Sequence, residues 1–289
     1  ARGKGAAGGT PDASVTAPTT PMTSRPKPDF QSPDVAHCLF DSERRYFLAG
    51  ARNRPICGGT LSVVPGLQHL PAGCVLHSVV ARPRSGDLVS WLRSLEQRVI
   101  RVGSRLCRFY LREGAEDLSP ALAALGYSSN EETGYVRFFD RRCSDLIPHL
   151  SLRPLDPARD WTQKIQLCIQ AGLGPDGYDM RHGAYATLER AKCKAGYMRS
   201  YLYWMGDRAV GAASLAIHDG FARLKNILVH PDFRGRGIGR EMVVGMMAEA
   251  RRDGATVFGV FGTSQASRRV YERCGLTPVV RQMEWSHAV

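Results

Sequence analysis

The stretch Ile227 to Val243, ILVHPDFRGRGIGREMV, carries the densest chemical signal in the chain. Ile227-Leu228-Val229 is an apolar run that reads as the end of a strand. His230-Pro231 closes it, because proline lacks a ladder donor and restricts the residue before it. Arg234-Gly235-Arg236-Gly237-Ile238-Gly239 follows, and Ile238, Met242, Val243, Met246 and Ala250 then recur with a helical period. A strand therefore runs into a glycine-rich turn that opens a helix. The first N–H groups of a helix lack internal partners, and the helix dipole is positive there. A phosphate group fits that place, and glycines let the backbone approach it closely. Two other glycine-rich signatures fail on spacing. A G-x-G-x-x-G fingerprint needs its third glycine one residue later, and a Walker A loop needs Gly-Lys-Ser/Thr. A plain strand–helix corner with no ligand is the remaining alternative.

The string V-x-P-x-x-R-G-x-G-I-G resembles motif A of the GCN5-related N-acetyltransferases, the GNAT superfamily. The resemblance implies that this turn holds the pyrophosphate of acetyl-CoA. Backbone N–H groups of Gly235, Arg236, Gly237, Ile238, Gly239 and Arg240 would cradle it, with Arg234 and Arg236 adding charge. It also implies that the pantetheine arm lies along Ile227, Leu228 and Val229 like an added strand. A backbone N–H of Leu228 or Val229 would then stabilise the oxyanion. Further on, Ser264-x-x-Ser267-x-x-x-Tyr271-x-x-x-Gly275-Leu276 resembles the family's N-x-x-A-x-x-x-Y-x-x-x-G-F motif. That likeness makes Tyr271 the general acid for the leaving thiolate, a task within reach of a phenol. The bland alternative is a half-buried helix tyrosine. Ser264 replaces the usual asparagine and retains a hydroxyl for the pantetheine.

The general base is missing from its usual places in this family. The strand before motif A reads Arg223-Leu224-Lys225-Asn226, and the strand after its helix reads Val257-Phe258-Gly259-Val260-Phe261. Neither holds a carboxylate. A water relay is one answer. A carboxylate from the loop Gly172 to Gly183 is another. Asp176, Asp179 and His182 lie there as candidate substrate-binding residues, although each type is common in loops for local reasons. No cysteine sits in a nucleophile context, Cys274 included, and no metal is expected.

The elements that must position these residues follow from periodicity. A short strand at Leu150–Leu155 begins the second unit. Helices at Asp160–Ala171 and Ala184–Lys194 come next, then strands at Tyr197–Trp204, Ala209–Ile217 and Phe221–Val229. The motif A helix, a strand at Val257–Phe261, a helix at Ala266–Arg273 and a strand at Thr277–Trp285 complete it. This order is the GNAT order. The first unit predicts a hairpin from Arg45–Ala51 and Ile56–Val64, and a strand at Val75–Ala81. A helix at Leu88–Val102, a strand at Arg105–Leu111, a helix at Leu118–Leu125 and a strand at Tyr135–Phe139 follow. Pro83 and Pro231 end matching strands 148 residues apart, and Gly126 and Gly275 follow matching helices 149 apart. The expected fold is thus α/β, in the α+β GNAT form. It has two tandem GNAT-like units, each a mixed twisted sheet flanked by helices, as in mycothiol synthases. The divisions are a disordered tail or leader over 1–33, a degenerate unit over 38–145 and a catalytic unit over 150–289. Met22 is a candidate native start. At the 148-residue offset Gly86, Asp87, Val89 and Trp91 replace Arg234, Gly235, Gly237 and Gly239. The first unit is therefore expected not to bind CoA productively.

Composition bounds the rest. The chain has 289 residues, 43% hydrophobic and 23% charged, which is ordinary for a folded protein. No apolar run approaches the ~18 residues of a membrane span, and no signal peptide is visible. Eight cysteines form no C-x-x-C pair, so disulfides and zinc are not expected and the cytoplasm is the natural compartment. The net charge of +12 is scattered over helix faces, and nucleic-acid binding is not expected from it. The expected function is transfer of an acetyl group from acetyl-CoA to a primary amine of a small molecule, by direct attack in a ternary complex. The alternatives are a GNAT-fold module that binds acyl-CoA without turnover and a protein or peptide N-acetyltransferase.

Overall fold

A computed structural model describes residues 32–56, 58–70, 72–79, 87–112, 118–139, 151–171 and 184–289. The first half runs α1 (Ser32–Leu48), β1 (Arg52–Ile56), β2 (Gly59–Val63), β3 (Cys74–His77), α2 (Leu88–Arg101), β4 (Leu106–Arg112), α3 (Ser119–Ala124) and β5 (Ser128–Phe138). The second runs β6 (Leu152–Pro154), α4 (Trp161–Ala171), α5 (Ala184–Lys194), β7 (Arg199–Met205), β8 (Arg208–His218) and β9 (Phe221–Val229). It continues with α6 (Ile238–Arg252), β10 (Val257–Gly262), α7 (Gln265–Arg273) and β11 (Thr277–Ala288). The second half follows the expected elements closely. In the first half, the strand expected over Arg45–Ala51 is instead the last turn of α1 and the turn after it. The tail expected over 1–33 lies outside the described residues except for its last two, which open α1.

The fold is the expected mixed α/β arrangement, and the sheets of the two halves merge. All eleven described strands form one sheet in the order β1-β2-β3-β4-β11-β5-β10-β9-β8-β7-β6. The order reads alike from both sides of the β11–β5 pair. β3 pairs with β4 in parallel, as β9 does with β10. β11 then pairs antiparallel with β4, and β5 with β10. Each half therefore lends its last strand to the other. The β5–β11 pair is long, running from Ser128 opposite Ser286 to Val136 opposite Thr277. Side chains alternate between the faces of such a sheet. One face carries α2, α3, α6 and α7. There Trp91, Leu95, Phe109 and Trp285 form the core of the first half, and Met242, Met246, Leu224 and Phe258 that of the second. The other face carries α1, α4 and α5.

Helix α1 straps the middle of that other face. Leu39 packs on Phe221, Val136 and Val257. It comes so close to the sheet that a Cβ added at Gly134 would lie 2.5 Å from Leu39 Cδ2, and one at Gly259 would lie 3.0 Å from Leu39 Cδ1. One turn on, Glu43 is buried between two cations of β9. Its carboxylate accepts from Arg223 at 2.7 Å and from Lys225 at 2.8 Å. Burial alone would raise this carboxyl. Lys225 and Arg223 outweigh burial and hold it at about 2. Lys192 of α5 donates to the carbonyls of Tyr46 and Ala49 at the end of α1, where a cation meets the negative end of the helix dipole.

Removing Glu43 leaves Arg223 buried and uncompensated, and such losses cost about 3–5 kcal/mol. Glu43→Ala should lower the urea midpoint accordingly. The folded carboxyl lies below its ordinary value of 4.5. Its contribution is therefore complete above that pH and fades as pH falls toward about 2. Glu43→Gln should flatten the loss of stability across that window.

Candidate active site

Strands β9 and β10 start in register, with Phe221 opposite Val257 and Arg223 opposite Gly259, and then part. Beyond Arg223, β9 continues for six residues without pairing to β10, which opens a wedge between two parallel strands. A bulge shapes the β9 side of this wedge. Ser214 of β8 faces Lys225 and Ala212 faces Leu228, so Asn226 and Ile227 together oppose Ala213. Asn226 takes up the turn with φ +53°, a left-handed conformation in which asparagine is enriched. Its side chain donates to Glu189 Oε2 at 3.0 Å. The other oxygen of Glu189 bonds Lys164, Ser200 and Ser214, all buried. A buried ion pair on α4 and α5 thus holds the bulge from behind.

The bulge sets which backbone donors face the wedge. His230 N donates to Val210 O at 2.8 Å. In an antiparallel ladder bonded and non-bonded pairs alternate, so Leu228 uses its N–H toward Ala212 of β8 while Val229 turns its own toward β10. Of the two oxyanion candidates, Val229 is the one with an N–H on the wedge side.

Past Val229 a 3-10 turn, Pro231–Phe233, is capped by His230, whose ring accepts from Asp232 N. Gly235 (φ +76°) and Gly237 (φ +84°) then reverse the chain into α6. A side chain would be strained at either position. Gly237 is the N-cap residue of α6 and makes no side-chain cap. The first N–H groups of the helix therefore open on an exposed turn. Asp87 holds the same place at the start of α2. There its carboxylate accepts from Val89 N and Ser90 N, the donors an anion would need. This sets Asp87 against Gly237, two residues from the pairing that a constant 148-residue offset gives.

The flanking charges have defined places. Arg234 donates to Val229 O at 3.1 Å and to Ala171 O at 3.5 Å, which ties the turn to β9 and to the end of α4. Arg236 lies 5.1 Å over the Phe233 ring, and Arg208 lies 5.2 Å over it. Arg240 is exposed on the first turn of α6. Ser264 is the N-cap of α7, with its hydroxyl engaged in a reciprocal capping box with Ser267. Tyr271 is buried on α7, with its ring against Gly262 at the end of β10 and 5.8 Å from that of Tyr135 on β5. Burial pushes its phenol well above the ordinary value. Ile227, Val229, Phe233, Ile238 and Tyr271 meet in one core cluster. Residues of the wedge, the turn and α7 thus share one core. Asp176, Asp179 and His182 lie outside the described residues. Glu189, Lys164 and Asn226 went unnoticed in the sequence. An asparagine inside an apolar strand was the available signal for the bulge.

Residues 171–276 match the acetyltransferase (GNAT) family. No curated protein matches the chain. Among solved structures, a GCN5-related N-acetyltransferase from Kribbella flavida is 16% identical, covers 87% of this chain and 95% of its own, and superposes with a TM-score of 0.62. A GCN5-related N-acetyltransferase from Sphaerobacter thermophilus is 14% identical with a TM-score of 0.55, covering 80% of this chain and 76% of its own. A tandem GNAT protein from the clavulanic acid biosynthesis pathway is 15% identical with a TM-score of 0.53, covering 80% and 78% respectively. The family match thus falls on the second half, and the fold of the chain is similar to that of GNAT structures.

The bulge makes a testable demand on position 226. Asn226→Gly and Asn226→Val both lose the bond to Glu189, but only glycine accepts φ +53° freely. The valine variant should be less stable than the glycine variant by about 1–3 kcal/mol, measured by thermal melting.

Proposed function

We propose that the second half transfers an acetyl group from acetyl-CoA to a primary amine of a small molecule, by direct attack in a ternary complex. The observation that carries this reading is the wedge between β9 and β10, which leads straight into the uncapped N-terminus of α6. The wedge offers backbone donors to an extended arm, and the helix start offers N–H groups to a diphosphate. In this reading Ile227 to Val229 line the pantetheine and Gly235 to Arg240 hold the phosphates. The Val229 N–H takes the negative charge that develops on the thioester oxygen. Tyr271 donates the proton that the departing sulfur needs. Its raised phenol stays protonated at neutral pH and is a source of that proton. The first half is silent toward CoA, because Asp87 already fills its helix start. The free thiols Cys38, Cys74, Cys107, Cys168, Cys193 and Cys274 favour a reducing, cytoplasmic setting. Among the described residues no helix is long and apolar enough to cross a membrane.

Calorimetry with acetyl-CoA tests the reading. The wild type should bind one equivalent, and Gly237→Trp should bind none while remaining folded. Two equivalents, one of them surviving in the variant, would show that the first half binds CoA. Binding without thiol release across a panel of primary amines would mark a module without turnover. An absence of binding would remove the enzyme reading.

A further inference from the structure

Neither strand that borders the wedge carries a carboxylate, and strand exchange brings one to it. β5 belongs to the first half yet fills the gap between β10 and β11. Its Thr133 faces Gly262, the last residue of β10. Glu132, one residue further, therefore stands just past the end of β10, level with the open part of the wedge. Glu132 shares a face with Gly134, the residue on which Leu39 of α1 packs, and so points to the side of Glu43 and Lys225. Its neighbour Glu131 points to the opposite face, where it accepts from Arg268 of α7.

The pseudo-symmetry of the sheet makes the placement specific. A small cleft in the first half is lined by Glu43, His77, Ser78, Tyr110 and Gln282. Three of these residues have a counterpart in the second half. Ser78 (φ +54°) and Asn226 (φ +53°) are the matching left-handed residues. Glu43 and Glu189 each stand five residues before the end of their helices. Gln282 and Glu132 face each other at the middle of the β5–β11 pair, and Gln282 donates to Glu132 Oε2. The place held by neutral Gln282 on the first half's cleft is thus held by Glu132 on the second half's.

We propose that Glu132 is the general base of the second half, an inference that rests on the acyl-transfer reading above. Among the described residues, two other carboxylates near the wedge are committed elsewhere. Glu43 is locked between Arg223 and Lys225, and Glu189 is bonded through both oxygens. Glu132 is half-buried and bonded to a neutral amide. The titratable groups facing it are Glu43 of α1, Lys225 and Arg223 of β9 and Tyr110 of β4. Burial and Glu43 push its carboxyl up, against the pull of Lys225, Gln282 and Arg223. A raised carboxyl is the stronger base.

The proton balance closes. The acceptor enters as an ammonium, and the Glu132 carboxylate takes one proton from it, directly or through one water. The nitrogen lone pair forms the N–C bond while the carbonyl π pair moves to oxygen. Collapse restores the carbonyl and breaks the C–S bond. The sulfur takes the Tyr271 proton, and the second proton lost by nitrogen returns to that phenolate. Glu132 releases its proton to solvent, leaving amide, thiol and one H⁺.

The test compares wild type, Glu132→Gln and Glu132→Asp in thiol release from acetyl-CoA. It uses the best amine of a primary-amine panel, and separately hydroxylamine, which is already neutral at pH 7. Glu132→Gln keeps the partner for Gln282 and should bind acetyl-CoA as the wild type does. Its kcat with the amine should fall by about 10²-fold or more and lose the acidic limb of its pH profile, while its rate with hydroxylamine stays within a few-fold. Glu132→Asp should recover part of the amine rate. Equal losses with both nucleophiles, or no loss with either, would overturn the assignment. A wild type that binds acetyl-CoA but releases no thiol with any nucleophile would overturn the acyl-transfer reading itself, a failure visible without any variant.

Discussion

Strands β5 and β11 lie antiparallel at the middle of the sheet, and each closes the half that it does not belong to. β11 sits between β4 and β5, and β5 sits between β10 and β11. Nine residue pairs tie them together. A β-sheet with an unfilled edge presents unpaired donors and acceptors, which is costly when that edge is buried. Removing either strand would open such an edge in the interior of both halves. The two units are thus joined more tightly than by a linker, and neither core closes without the other's last strand. Tyr135 shows the consequence at the site: a residue of the first half lies 5.8 Å, ring to ring, from Tyr271 of the second.

The other face is held by charge as well as by packing. Glu43 reaches from α1 to Arg223 and Lys225 of β9, and Lys192 of α5 reaches back to the end of α1. Buried ion pairs gain little net stability, because desolvation offsets much of their attraction. They do punish wrong geometry severely, since a slipped α1 would strand three charges away from water. The effect here is positional. α1 is fixed across β9 beside the bulge, and the buried Lys164–Glu189 pair fixes the bulge from the α4–α5 side. Two independent buried pairs therefore bracket the strand that lines the wedge.

Much of the second half was legible in the sequence, because its elements obey the local rules. The strand, turn and helix of residues 221–252 announce themselves through an apolar run, Pro231, positive-φ glycines and a clean helical period. α1 did not, although Val35, Leu39 and Tyr46 follow a helical spacing. The positions between them that face the core are Ser42 and Glu43, both buried. With polar residues in the core-facing stripe, only the apolar tail Tyr46-Phe47-Leu48-Ala49 stood out, and it imitates a strand. Arg223 is equally hard to read locally, since a strand arginine is wholly buried here. Glu132 was invisible for a different reason. Nothing local to residue 132 points to a site in the other half; only the order of strands in the sheet does.

The two halves keep the same scaffold and differ where chemistry would be done. Each has a left-handed residue at the matching place, Ser78 just past β3 or Asn226 in the bulge of β9. At the helix start the first half has Asp87, whose carboxylate occupies the free N–H groups, where the second has bare Gly237. At the sheet centre Gln282 faces the first half's cleft where Glu132 serves the second. The first difference works against an anion, because a carboxylate both engages the donors and repels a phosphate. The second replaces a group that can carry a proton with one that cannot. Whatever its own site does, the first half supplies strand β5 and helix α1, which are placed against the second.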